Sequence, residues 1–148
     1  MAQVHDFVVL NKETYAYEDH MQLVNQVPYD VSIHDNLIMF FYGFLQQIPT
    51  YNPSKKVRHT GLNYYGITII DSEGALVTYN IISSIVNVMK LSPKFLKFSK
   101  GYTYKFAEEQ EKLIFQKYKV VDQFDQLKGC IKQVIDSNGQ LYIVHLGI

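Results

Sequence analysis

The sequence predicts an α/β or α+β fold: a small mixed sheet of about four strands with three or more helices packed on it. Three observations lead there. Short runs rich in β-branched and aromatic residues interleave with longer runs of helical period. No internal repeat and no Pro/Gly/Ser linker divides the 148 residues, so 1–148 reads as a single globular domain. Apolar residues make up 47% and charged ones 19%, a balance that excludes a disordered chain and allows a core without disulfide or metal staples.

The elements follow in order. Phe7-Val8-Val9-Leu10 is an opening strand, and residues 11–26 read as helix or irregular turn. Asp35 has the chemistry of a helix N-cap, because its carboxylate accepts the orphan amides of a first turn. Leu37, Phe41, Phe44, Leu45 and Ile48 then share one helical face. Met39, Phe40 and Tyr42 lie off that stripe, so the helix is apolar almost all round and either sits in the core or meets a partner. Residues 48–58, with two prolines and two lysines, read as a surface loop. Residues 62–70 form the best strand, apolar on both alternating faces and hence central, with Gly66 marking a bulge or close approach.

Asp71 or Ser72 caps a long helix over about 75–91, and Ser92-Pro93 stops it. Its broad apolar face holds Val77, Ile81, Ile82, Ile85, Val88 and Met89. Phe95–Phe98 is a short strand. Residues 102–119 are ambiguous between a helix and an edge strand over 113–118. Residues 120–136 are the clearest amphipathic helix, with Val120, Phe124, Leu127, Cys130, Ile131, Val134 and Ile135 in one stripe. A Ser137-Asn138-Gly139 turn leads into a final strand, Leu141–Leu146.

Fourteen acids balance fourteen bases, but unevenly. No acid falls between Glu73 and Glu108, while Lys90, Lys94, Lys97, Lys100 and Lys105 do. With Arg58 as the sole arginine, base readout by arginine forks is excluded and nucleic acid is not an expected partner. The N-terminus carries no signal-peptide pattern and no apolar run is long enough to span a bilayer, so no membrane association and a cytoplasmic location are expected.

The chemistry-bearing motifs are missing: no dinucleotide fingerprint, Walker A loop, nucleophile elbow or His-Glu-x-x-His. His5, His20, His34, His59 and His145 lie far apart without ligand spacing, so no metal and no cofactor are expected. Cys130 sits on an apolar stripe and reads as a buried structural thiol. His145, on a strand face with Leu141 and Ile143, reads as a satisfied core or edge histidine rather than a catalytic base. The alternative to a binding protein is a small enzyme or ligand-binding domain with a pocket near His59, Asp71, Tyr64 and Tyr65, where acids follow the end of a central strand.

Tyrosine is the telling residue, with twelve in the chain. Its rigid apolar ring and polar tip suit interfaces. Tyr64–Tyr65 and Tyr102–Tyr104 cluster, and with Met39, Phe40 and Tyr42 they are the expected partner-binding residues. A homodimer through the apolar helix is a further reading.

Residues 62–70, the helix after them, Ser92-Pro93, Lys100-Gly101-Tyr102 and the closing His145-Leu146-Gly147-Ile148 together resemble small immunity proteins of bacterial polymorphic toxin systems. The resemblance covers about the C-terminal 90 residues. It implies a non-enzymatic protein that binds and neutralises a cognate toxin domain.

Overall fold

The computed structural model describes residues 3–19, 27–98 and 113–148. Among the described residues the chain runs β1 (Val4–Asn11), a 3-10 turn (Tyr17–Asp19), β2 (Val31–His34), α1 (Asp35–Phe40), α2 (Tyr42–Leu45), β3 (Pro49–Asn52) and β4 (Val57–Thr60). It continues with β5 (Ile67–Ile70), α3 (Ser72–Lys90), β6 (Phe95–Phe98), β7 (Leu113–Gln116), α4 (Lys117–Asp136) and β8 (Leu141–Leu146). Six strands form one sheet in the order β2-β1-β8-β5-β3-β4. Every neighbouring pair in it is antiparallel. β6 and β7 form a separate antiparallel pair.

The α/β character is as expected, but the sheet is larger than four strands and is antiparallel rather than mixed. The extra strands, β2, β3 and β4, are four residues each, too short to stand out in the sequence by period. The expected loop at 48–58 is the β3–β4 hairpin, paired from Pro49↔Thr60 to Asn52↔Val57. Pro49 opens its strand, the position where a missing N–H is tolerated. Neighbouring strands supplied what local sequence did not signal.

Strand alternation splits the core in two. Phe7, Val31, Ile33, Ile70 and Ile143 face α3 and α4 and pack with Leu37, Ile82, Met89, Phe124 and Ile131. Val8, Leu10, Ile69, Tyr142 and Val144 face the other way and meet Tyr15, Tyr17, Val27 and Tyr51. Both faces of β5 and β8 are therefore covered, which is why their sequences are apolar without alternation.

Several local expectations shift. The single helix from Asp35 is two short pieces, broken at Phe41 (φ −100, ψ 8), in the sparsely allowed region between helix and strand. The break keeps Leu37, Phe41 and Leu45 buried but turns Phe44 out to 66% exposure. Asp35 is not the cap. The His34 side chain accepts the Asn36 N–H at 3.1 Å, and Asp35 is buried in the first turn. The strand expected over 62–70 is confined to Ile67–Ile70. Before it, Asn63 donates its N–H to Thr68 Oγ1 (2.8 Å) and its Nδ2 to the Ile67 carbonyl (2.7 Å), side-chain bonds that displace a ladder. Gly66, at φ +94, turns the chain into β5.

The later elements match more closely. Asp71 caps α3, its carboxylate accepting the Glu73 N–H at 3.1 Å. Lys117 Nζ donates to the carbonyls of Lys90 (3.3 Å) and Ser92 (2.7 Å), closing the other end of that helix. The stripe from Val120 to Val134 is buried on α4, Cys130 included. Asn138 and Gly139 both take positive φ, and β8 spans the expected residues. Among the described residues, no helix is long and apolar enough to cross a membrane.

Candidate functional site

Two polar groups are built into the sheet, and one of them carries the tyrosines singled out above. β1 places His5 two residues from Phe7, on the helix-facing side. β8 places His145 opposite Phe7. The two imidazoles are fully buried and stacked, with planes 7° apart and His5 Nδ1 to His145 Nε2 at 2.8 Å. His5 Nε2 meets Asp35 Oδ1 at 3.1 Å. The second oxygen of Asp35 accepts the Tyr64 hydroxyl at 3.1 Å. The result is a chain of hydrogen bonds from the interior to the surface: His145, His5, Asp35, Tyr64.

A neutral His145 that donates Nε2–H to His5 Nδ1 leaves the His5 Nε2–H for the Asp35 carboxylate. His145 Nδ1 is then a bare lone pair, with no hydrogen-bond partner among the described residues. Burial and the neighbouring His5 push the His145 pKa down to about 3, so the ring is neutral. Partial burial and the bond to Asp35 push the Tyr64 phenol up to about 12. Tyr64 is a fixed hydrogen-bond donor at neutral pH.

The chain of bonds fixes a tyrosine cluster. The Tyr64 ring centroid lies 4.7 Å from that of Tyr65 and 6.2 Å from that of Tyr42, edge-on in both pairs. Tyr42 and Gln46 both donate to the Leu62 carbonyl, at 3.3 and 3.1 Å. From the other side, Gly147 N–H donates to Gly66 O (2.7 Å) and Ile148 N–H to Tyr64 O (3.0 Å). Gly147 has no room for a Cβ, which would run into the Tyr64 and Asn63 carbonyls. Held from both sides, the loop presents Tyr65 at 75% exposure.

Of the residues expected to bind a partner, the structure thus gathers Tyr42, Tyr64 and Tyr65. Phe40 is exposed and lines a groove of about 720 Å³ with Phe44, Ile81, Ser84 and Val88. Met39 is exposed. Tyr102 and Tyr104 lie outside the described residues.

The residues of the alternative pocket divide between groups. Tyr64 and Tyr65 belong to the cluster above. Asp71 is buried at the end of β5, where Arg58 Nη2 approaches Oδ2 at 2.9 Å and the Tyr17 hydroxyl donates to Oδ2 at 2.7 Å. Burial opposes its ionisation, but those bonds and the guanidinium charge outweigh it and hold its pKa below the usual range. Arg58 also reaches Glu73 at 3.4 Å and covers the Tyr51 ring. This group ties β4, the start of α3 and the 3-10 turn together. His59 is exposed on β4, its ring accepting the neighbouring Thr60 N–H.

Sequence reasoning missed His5 and the true role of Asp35. The alternation His5, Phe7, Val9 along β1 was the available signal, since it points His5 inward. Among the described residues no cluster of three or more His, Cys, Asp or Glu side chains is arranged to hold a metal. No protein-family model matches this chain, and no curated protein or solved structure matches it.

Proposed function

We propose that this chain is a non-enzymatic protein-binding domain that neutralises a cognate bacterial toxin, as an immunity protein does, with the Tyr42–Tyr64–Tyr65 cluster at the centre of its docking surface. One observation carries the reading: Tyr42 and the Tyr64–Tyr65 pair, more than twenty residues apart in sequence, are brought together, and Tyr42 and Tyr64 are each tied by a hydroxyl hydrogen bond. Tyrosine is among the residues that dominate binding energy at interfaces. An aromatic held in place by Asp35, His5 and the chain after β8 loses little freedom on association, so more of its burial becomes affinity. The fixed Tyr64 phenol supplies direction, and the exposed Tyr65 ring supplies area.

The neutral net charge bears on the partner. Capture of a strongly basic toxin by charge steering favours an acidic inhibitor. The proposed partner is therefore a toxin domain recognised mainly by shape and aromatic contact.

The test is to search beside this gene for a protein with a variable C-terminal toxin domain and to co-express that domain with this chain; the absence of any such neighbour would count against the reading. The expected result is rescue of growth and a complex that survives purification. Tyr65→Ala should weaken that complex by about 30-fold or more, the scale of a hot-spot residue, with the fold unchanged. No complex, or a complex indifferent to Tyr65→Ala and Tyr42→Ala, would overturn the reading.

A further inference from the structure

α3 carries more apolar surface than its own core uses. Its buried side is Gly74, Ala75, Thr78, Ile82, Ile85, Val86 and Met89. A second line, Val77, Ile81, Ser84 and Val88, continues to Leu91 just past the helix end, at spacings of four, three, four and three. At 100° per residue these five positions span about 80°, and the middle of that stripe lies about 120° from the middle of the buried one. Such spacing is the seam of a packed helix pair. Ile81 is half-buried against the core, but the rest of the stripe faces outward: Val77 and Ser84 are exposed, Val88 is 59% and Leu91 88% exposed. Phe44 flanks it across the groove.

We propose that this seam is a self-association surface, on which a second copy of the chain packs its α3 antiparallel to the first across a two-fold axis near Ser84. Three features select a second copy. The first is symmetry. Counting outward from Ser84, Val77 falls level with the partner copy's Leu91, and Ile81 falls within one residue's rise of its Val88. Each large residue thus meets a large one, and the small serine at the centre lets the helices approach. An isologous pair requires this self-complementarity.

The second is charge. The first turn of α3 holds Glu73 and its last turn Lys90, with exposed Lys94 just beyond. Antiparallel packing directs the acidic end of each helix toward the basic end of the other and opposes their dipoles. Parallel packing would bring Lys90 against Lys90. The third is area. Val77, Val88, Leu91, Phe44, Phe40 and Phe95 leave on the order of 600 Å² of apolar surface open, from typical side-chain areas. That approaches the roughly 800 Å² per partner of a stable interface and reaches the upper end of what a lone monomer leaves bare.

The inference goes beyond the toxin-binding reading and does not depend on it. Sedimentation equilibrium of the full chain across micromolar concentrations should show a dimer. Val88→Glu should weaken that dimer at least tenfold. Because Val88 is exposed, the variant should keep the wild-type circular dichroism spectrum and melting curve. Under mild oxidation Ser84→Cys should form an interchain disulfide, while Asn87→Cys, off the seam, should not. A monomer at all concentrations overturns the proposal. So does a dimer untouched by a folded Val88→Glu, or one crosslinked by Asn87→Cys and not by Ser84→Cys. Tyr65→Ala should leave the dimer intact and Val88→Glu should leave toxin capture intact, so the two readings fail separately.

Discussion

His5 and His145 stack 5.1 Å apart between ring centroids, both fully buried, on the adjacent strands β1 and β8. Two imidazoles in contact inside a core cannot both take up protons cheaply. The outer end of the same bonded chain is Asp35 and Tyr64, so the pair sits between a sealed interior and a carboxylate.

Acid should destabilise the fold through His145. Its native pKa of about 3 lies below the ordinary 6.5. Between those values an unfolded chain binds a proton that the native state refuses. Stability is therefore full above pH 6.5 and falls as pH drops toward 3, by about 5 kcal/mol for the whole interval. The side chains against the ring are His5 and Phe7. The difference between wild type and His145→Leu isolates the ring. Urea midpoints should fall more steeply with acid in the wild type, and parallel profiles would contradict the assignment.

Asp35→Asn should loosen the tyrosine cluster. The carboxylate accepts from two donors, and the amide nitrogen of asparagine faces one of them with another donor. A cost of roughly 1–3 kcal/mol is expected for a buried, mispaired polar group. Without the carboxylate the Tyr64 phenol should titrate below about 12, toward 10. Nuclear magnetic resonance of ring-labelled tyrosines across alkaline pH reads this directly. An unmoved Tyr64 would mean that burial alone sets its value.

Asp71→Ala should cost more than Arg58→Ala. The first change removes the cap of α3 and strips Arg58 and Tyr17 of their shared acceptor, for roughly 2–3 kcal/mol. The second leaves Asp71 with Tyr17 and the Glu73 N–H. Arg58 is about half exposed, so solvent screens much of its pairing and about 1 kcal/mol is expected. Chemical denaturation of both variants tests the order.

Gly147→Ala should disturb the loop that carries Tyr65 without emptying the core. The added methyl meets the carbonyls of Tyr64 and Asn63, which must move. Melting should drop by a few degrees, on the scale of about 1 kcal/mol. Partner affinity should fall together with it, whereas Gly129→Ala, in the open interior of α4, should raise melting slightly through helix propensity and leave affinity unchanged.

The elements with strong local signals were legible: α4 from its stripe, β8 from its apolar run and closing turn, and α3 with its Asp71 cap. β3 and β4 were not. Pro49-Thr50-Tyr51-Asn52 is a strand because β5 and β4 pair with it on either side. Phe44 was placed on the buried stripe of an unbroken helix, and the bend at Phe41 sent it to the surface. Among the site residues, Tyr64 and Tyr65 stood out by composition. Their neighbours did not, because His5 and His145 are 140 residues apart and Asp35 looked like a cap.

What the sequence determined by itself was the period of α3, α4 and β8, the cap at the start of α3 and the turn before β8, since these depend on residues within a few positions of one another. Sheet size, strand order and the path from His145 to Tyr64 were decided by tertiary structure. They arise from pairings of distant segments, whose hydrogen bonds form only once burial of the two apolar sheet faces has brought β1, β8 and the loop before β5 together.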